Sequence, residues 1–447
     1  MIYLKPLLIS FCLGLIIVSC SPSKDHAHSE NSKMHPHDYF FRQRAYPQGE
    51  INMQSYRASI EQSKELSRNK MLLQDPWINV GPINVGGRIT DFDMHSSSQN
   101  FMYAGSASGG VFKSIDGGLN WLPIFDDALS LSIGDLTIAP SNANVIYVGT
   151  GESNGGGGSV TYDGFGLYKS TNGGISWESI GLEETRNTGR IVVHPQDEET
   201  VYAAMMGDLF GNNEERGIYK TVDGGVNWDQ VLFVSDSTGG ADLAIHPLNS
   251  DTIYASTWER IRRPNRRSYG GETSRIYRSY DGGDSWIELT NGLPTLASQK
   301  GRIGIAISNS DPSTLYAIYA DQSGSFQGVY RTNDNGDSWI ELNGSSISSN
   351  YSSFGWWFGR IAVHPNNPEE VYTLGLDVKR STNGGNNWST IGSGNHVDQH
   401  SYYVHPVNND LHISGNDGGI YISQNSGSSW NKVTDLPNIQ FYACEID

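Results

Sequence analysis

From about Trp77 onward, the chain runs as short apolar stretches separated by turns rich in Gly, Ser, Asn and Asp. One unit shows the pattern: Arg190-Ile191-Val192-Val193-His194-Pro195 predicts an inner strand, and Thr200-Val201-Tyr202-Ala203-Ala204 a second. Gly217-Ile218-Tyr219-Lys220 predicts a third strand, and Trp228 opens the outer one. The N-terminal part departs from this rhythm. Between Asn52 and Lys70, Met53, Tyr56 and Ile60 share one face at helical spacing, which predicts a short helix leading into the strands.

The units are true repeats. Seven segments share Ser/Thr-x-Asp/Asn-x-Gly-x-x-Trp, starting at Ser114, Ser170, Thr221, Ser279, Thr332, Ser381 and Ser423. Their starts lie 42 to 58 residues apart, the span of one four-stranded blade. The motif predicts a hairpin between the two outer strands of each blade. Its Asp or Asn accepts backbone N–H bonds across the turn, its Gly takes a positive φ, and its Trp packs between neighbouring blades. Asn172, Asn383 and Asn425 replace Asp in three copies, so the turn requires an acceptor and no charge. The expected fold is all-β, a seven-bladed β-propeller with Asp-box hairpins over residues 76–447. Pro76 to Gly81 copies the segment that follows each motif and is expected to close the ring as the outer strand of the last blade. Phe441 to Asp447 reads as the start of a further inner strand, as in a truncated form of a longer chain.

These motifs resemble the Asp-boxes, or bacterial neuraminidase repeats, of sialidases, other glycoside hydrolases and sortilin-type sorting receptors. The wording around them is most similar to bacterial sortilin-like propeller proteins, often labelled glycosyl hydrolases. The stretches carrying this likeness are Asn84-Val85-Gly86-Gly87-Arg88-Ile89, Val148-Gly149-Thr150-Gly151-Glu152, Asn213-Glu214-Glu215-Arg216-Gly217 and His396-Val397-Asp398-Gln399-His400. The resemblance covers about Trp77 to the C-terminus. It implies the fold; function must be argued from the site, because propellers carry many activities. Two readings follow: a recognition module for a polysaccharide or peptide, or a carbohydrate-active enzyme, either a hydrolase or a lyase with a His or Tyr base. The sialidase pattern would need Arg-Ile-Pro, whereas Arg88-Ile89 is followed by Thr90.

Composition sets the address and excludes partners. The formal net charge of -18 argues against a nucleic-acid or anionic-membrane partner, since binding phosphate needs clustered Lys and Arg. Lys5, the apolar run Leu7 to Val18 and Ile17-Val18-Ser19-Cys20 form a signal peptide over residues 1–20 that resembles the bacterial lipobox. Cys20 is the expected lipidation site, which implies an exported cell-envelope lipoprotein held on the outer membrane or cell surface. Cys12 lies in the leader, and Cys444 then has no disulfide partner. Residues 21–75 read as a polar tether and the short helix. The tether's His26, His28, His35 and His37 allow either a solvated linker or weak metal binding.

Candidate chemistry gathers at one rim of the expected channel. Five positions before the Pro that ends the inner strand stand Asp135, Arg190, Asp242 and Arg360, with Arg88 and Arg302 in equivalent Gly-Arg-Ile contexts. Five positions after the second-strand Tyr, or after His412 in its place, stand Glu152, Glu259, Asp321, Asp377 and Asp417, with Asp208 one place later in its blade. Trp258, Trp356 and Trp357 lie outside the motifs, where flat rings could stack on a sugar. Glu152, Asp417 and His400 are the candidate catalytic groups; the arginines, Asp135, Asp242 and the three tryptophans are the candidate ligand contacts. The alternation of His396, Asp398 and His400 would share one face of a strand and could hold a divalent metal such as calcium. Arg260, Arg262, Arg263, Arg266 and Arg267 suggest docking of an anionic group or an internal salt-bridge network.

Overall fold

The computed structural model describes residues 43, 45–49, 52–70, 84–154, 162–263 and 266–439. Seven antiparallel four-stranded sheets follow one another along the chain, and each runs from an inner to an outer strand in chain order, apart from one added hairpin. The inner strands are Ile89–Met94, Ile133–Ile138, Thr188–His194, Thr238–Ile245, Ile303–Ile307, Arg360–His364 and Gln399–Val404. The added hairpin, Ile261–Arg263 with Arg266–Ser268, interrupts blade 4.

The inner strand of blade 1 packs against that of blade 7, closing the ring. Tyr403 Oη donates to Met94 O at 2.8 Å across this junction, and Lys432 Nζ donates to Asn84 O at 3.0 Å. Pro76 to Gly81 lies outside the described residues, and the place expected for it is filled. The outer strand of blade 7 is Asn431–Lys432, paired with Gly419–Ser423. The reason is local: each Asp-box hairpin delivers its own fourth strand directly after the Trp.

The boxes fold as the sequence predicts. In blade 3, Asp223 Oδ1 accepts from Asn227 N at 2.9 Å. In blade 6, Asn383 Oδ1 accepts from Asn387 N at the same distance, so the amide does the work of the carboxylate. The first motif residue does as much. The Thr221 hydroxyl donates to Asp223 at 2.8 Å and accepts from Gly225 N at 3.0 Å. Its counterparts in all seven boxes are buried and accept the same glycine N–H. Trp121 is buried among Phe92 and Met102 of blade 1 and Ile420 and Ile422 of blade 7, a core that lies between blades.

A second joint was not expected. The residue before the box is Lys or Arg in six blades, and with the second-strand Tyr it reaches the next blade. Tyr103 and Lys113 both donate to Gly173 O, at 3.1 and 2.7 Å; Tyr254 and Arg278 both donate to Asn335 O, at 2.9 and 2.6 Å.

Antiparallel meanders put box turns and first-to-second strand turns on one face, and leave the remaining loops on the other, the rim. The helix Met53–Lys70 lies against the rim loops of blades 1 to 3. Tyr56 stacks on Phe165 at 5.7 Å, Arg57 pairs with Glu184 at 3.3 Å, and Lys64 donates to Ala128 O at 3.1 Å. Among the described residues, no helix is long and apolar enough to cross a membrane.

Candidate functional site

The channel wall is set by strand register. Facing second-strand partners Gly105, Gly149, Ala204, Ser256, Ile318, Leu374 and Gly415 stand Asp91, Asp135, Arg190, Asp242, Gly304, Arg360 and Ser401. Asp135, Arg190, Asp242 and Arg360 thus belong to one ring as expected, whereas Arg88 and Arg302 do not. Asp91 takes the blade 1 position. Its strand lacks the terminal Pro on which the blades can be aligned, so the sequence pointed to Arg88 instead.

This ring neutralises itself. Arg360 reaches Asp91 at 3.3 Å and Asp135 at 3.6 Å, and Arg190 reaches Asp135 at 3.2 Å and Asp242 at 2.9 Å. Each carboxylate gives its other oxygen to the following blade: Asp91 to Leu136 N at 3.0 Å, Asp135 to Ile191 N at 2.7 Å, Asp242 to Ile305 N at 3.0 Å. The groups expected to seize a ligand therefore staple the blades together. Burial and the neighbouring Asp91 still push the Asp135 carboxyl well above its usual range. Asp93, two residues along the strand, is raised to about 7 by burial and then by Asp91. A cavity of about 370 Å³ lies inside this wall.

The tryptophans expected as open platforms are buried. Trp258 is 1% exposed and Trp357 6%. Trp357 comes from the loop between blades 5 and 6 and reaches across the rim. Its carbonyl accepts from Arg302 Nη1 of blade 5 at 2.8 Å and from Asn154 Nδ2 of blade 2 at 2.9 Å. Its ring lies 4.8 Å beneath the Arg88 guanidinium and meets His400 of blade 7 edge-on at 5.2 Å. Four blades grip one loop, which roofs that end of the channel. Burial, then repulsion from Arg360, lowers Arg302 to about 9. Trp258 donates to Tyr269 O at 2.9 Å beneath Arg260, itself fully buried with Arg262. At least that part of the arginine cluster is packing; the side chains of Arg263, Arg266 and Arg267 lie outside the described set.

An arc of charged groups runs along the rim from blade 7 to blade 3, in which Asp398, Asp417, Arg186 and Asp208 are partly exposed and His400, Arg88 and Glu152 are buried. His400 Nε2 and Asp417 Oδ1 lie 2.7 Å apart, and Asp417 N donates to Asp398 O at 3.3 Å. Arg88 grips Glu152 with two bonds, at 2.8 and 3.2 Å. Arg186, which the sequence reading passed over, pairs with Asp208 at 2.8 Å and lies 3.9 Å from Asp163. Asp398 and Arg186 both hold a positive φ, 67° and 54°, which costs a non-glycine residue about 1–3 kcal/mol and clusters at functional sites. Neither is Gly or Asn, so nothing in the sequence announced it. Burial, then the Asp417 charge, raises the Asp398 carboxyl. Asp417 is held below its usual value because the hydrogen bond and charge of His400 and the charge of Arg88 outweigh burial.

The other outer-ring acids differ. Glu259 accepts from Thr273 Oγ1 at 2.8 Å and Asp321 from Ser323 N at 2.8 Å, as turn caps. The metal reading of His396, Asp398 and His400 fails on geometry. The strand begins only at Gln399, the twist at Asp398 breaks the alternation, and His400 is engaged by Asp417. Among the described residues no three His, Cys, Asp or Glu side chains converge to hold a metal ion.

Fold and boxes together define the chain as an Asp-box β-propeller. A family model described as sortilin, neurotensin receptor 3, matches residues 166–293. A xyloglucanase of Acetivibrio thermocellus is 24% identical over 353 residues, covering 70% of this chain and 39% of that protein. An oligoxyloglucan-reducing end-specific xyloglucanase of Emericella nidulans is 22% identical over 398 residues, covering 78% and 46%. The chain therefore spans less than half the length of these relatives. The crystal structure of a GH74 xyloglucanase from Xanthomonas campestris superposes with a TM-score of 0.59 at 19% identity, over 79% of this chain and 54% of that one. The structure of YCF48 bound to D1 peptide gives a TM-score of 0.50 at 16% identity, over 78% and 99%. Both structural likenesses concern the fold.

Proposed function

We propose that the chain is a carbohydrate-active propeller that engages a polysaccharide along the arc from blade 7 to blade 3, with Asp398 and Asp417 acting on the glycosidic bond. The observation that carries this is the strained presentation of the partly exposed Asp398 beside Asp417, with the neighbouring Arg88–Glu152 and Arg186–Asp208 charges tied in pairs. Glycoside hydrolysis uses one carboxyl that gives a proton and one that stays ionised. The opposed shifts of Asp398 and Asp417 suit those two roles, Asp398 as acid and Asp417 as base or nucleophile, with His400 orienting the latter. The xyloglucanases among the relatives support a polysaccharide substrate, and xyloglucan is the first to try.

The test is release of reducing ends from xyloglucan and other β-glucans, with binding measured in parallel. Asp398→Asn and Asp417→Asn should each lower turnover by about 100-fold or more while binding persists. Activity should fall as pH rises through the elevated Asp398 value and as it drops through the depressed Asp417 value. A folded Asp398→Asn protein with undiminished turnover rules out the pair. Binding without any product from the native chain leaves polysaccharide or peptide recognition as the function.

A further inference from the structure

A side chain that the repeat does not require marks a second site. Three positions after the Tyr or His of the second strand, the blades carry Ser106, Thr150, Met205, Thr257, Tyr319, Gly375 and Gly415. The three short hydroxyls are all satisfied. Ser106 Oγ donates to Asn438 Oδ1 at 3.0 Å, Thr150 Oγ1 to Gly166 O at 2.7 Å and Thr257 Oγ1 to Thr273 O at 2.7 Å. Tyr319 is 2% exposed, and among the described residues its hydroxyl has no hydrogen-bond partner. A buried hydroxyl left so is costly and uncommon. Burial, then its neighbours Tyr330 and Glu288, raises it well above its usual value, so it stays an O–H donor. It lines a cavity of about 180 Å³ between blades 4 and 5.

The rest of the lining restricts what could meet that hydroxyl. Lys300 enters from the loop between the two blades with a side chain 8% exposed, and among the described residues its ammonium bonds one acceptor, Glu272 Oε1 at 3.2 Å. An ammonium has three donors, so two are left over. Arg275 pairs with Glu272 at 3.1 Å and with Glu288. Two cations therefore face two carboxylates, and a lining without net charge disfavours an ion as the occupant. Donors on Tyr319 and Lys300 beside acceptors on Glu272 and Glu288 suit groups that both give and take hydrogen bonds, which is the chemistry of hydroxyls. Ile276, Leu289 and Leu293 supply an apolar wall for a C–H face. The volume exceeds one water's share of about 30 Å³ several times over and suits one ring better than a chain. We propose that this cavity holds a single sugar ring, the end or side branch of a glycan, with Tyr319 and Lys300 bonding its hydroxyls. The site goes beyond the cleavage reading: it belongs to blades 4 and 5, whereas the arc of Asp398 and Asp417 runs from blade 7 to blade 3.

The experiment offers the full chain methyl β-glucoside, methyl β-galactoside and methyl β-xyloside in turn, with binding followed by saturation-transfer NMR and titration calorimetry. At least one should bind. Tyr319→Phe keeps the ring and removes only the hydroxyl, so it should leave the melting temperature near native and weaken that glycoside about five- to ten-fold, the worth of one hydrogen bond. Lys300→Met should weaken it to a similar extent. Asp398→Asn should bind the glycoside as the native chain does, whatever it does to turnover, which separates this site from the rim. Undiminished binding by Tyr319→Phe overturns the proposal, and so does a native chain that binds none of the three. Tyr319-dependent binding of sodium acetate or glycine in place of every glycoside overturns it in favour of a small ion.

Discussion

Single side chains in this propeller divide into those that build and those left free to act, and their environments tell which is which. Asp223 lies part-exposed at its turn and is held at about 2 by the bonds it accepts from Asn227 and Thr221. Since Asn serves three other boxes, Asp223→Asn should leave the melting temperature close to native, whereas Trp121→Ala should cost about 3–5 kcal/mol by emptying a buried site between blades. Thermal denaturation of the two variants checks both. His412 is the titrating builder. It stands where other blades carry Tyr, fully buried, with Nδ1 2.7 Å from Tyr402 Oη and Nε2 2.9 Å from Asn409 O. Burial lowers it from 6.5 to about 4, so the unfolded chain takes up the proton first. Its contribution to stability is complete above about 6.5 and is lost as pH falls toward 4. His412→Tyr should flatten that limb of a stability-against-pH curve measured in urea, and an unchanged limb would assign acid lability to other groups.

At the scale of elements, the boxes were fully legible because a short-range turn needs only its own eight residues. The inner strands were legible where a terminal Pro set the register, which is why Asp135, Arg190, Asp242 and Arg360 were placed correctly and Asp91 was not. The Trp356-Trp357 loop could not be read. Its role depends on Asn154, Arg302, Arg88 and His400, which meet only when the ring closes and lie up to 312 residues apart in sequence. An aromatic pair outside the repeat looked like a sugar platform for the same reason that makes it a good roof: a large flat surface that four blades can grip. Trp357→Ala should therefore destabilise the fold by about 3–5 kcal/mol. It should also change the rim's activity only through Arg88 and His400, which a loss in kcat with unchanged KM would register.

The whole molecule is a ring whose joints can be inspected one by one. Six junctions carry a side-chain clasp from one blade to the next: Tyr103 and Lys113, Tyr147 and Lys169, Tyr202, Tyr254 and Arg278, Tyr316 and Arg331, and Arg380. At the seventh, the two clasp positions are His412 and Ile422. His412 spends its bonds inside its own blade, and Ile422 contributes only packing against Trp121. A closed ring has no end from which to unravel, so it must first part somewhere. The junction of blades 7 and 1 lacks that clasp and is held instead by Tyr403 on Met94 O, Lys432 on Asn84 O, Asn408 on Gln99 and the core around Trp121, and it is expected to part first. Amide exchange under native conditions should begin along Ile89–Met94 and Gln399–Val404 before the other inner strands, and uniform exchange around the ring would deny it. The partly exposed Asp398 and Asp417 and the buried His400 lie beside that junction, with Arg88 across it. The place where the ring can yield is therefore also the place where a bulky polymer could be admitted, and stiffening it, with Ile422→Lys for instance, would trade access for endurance.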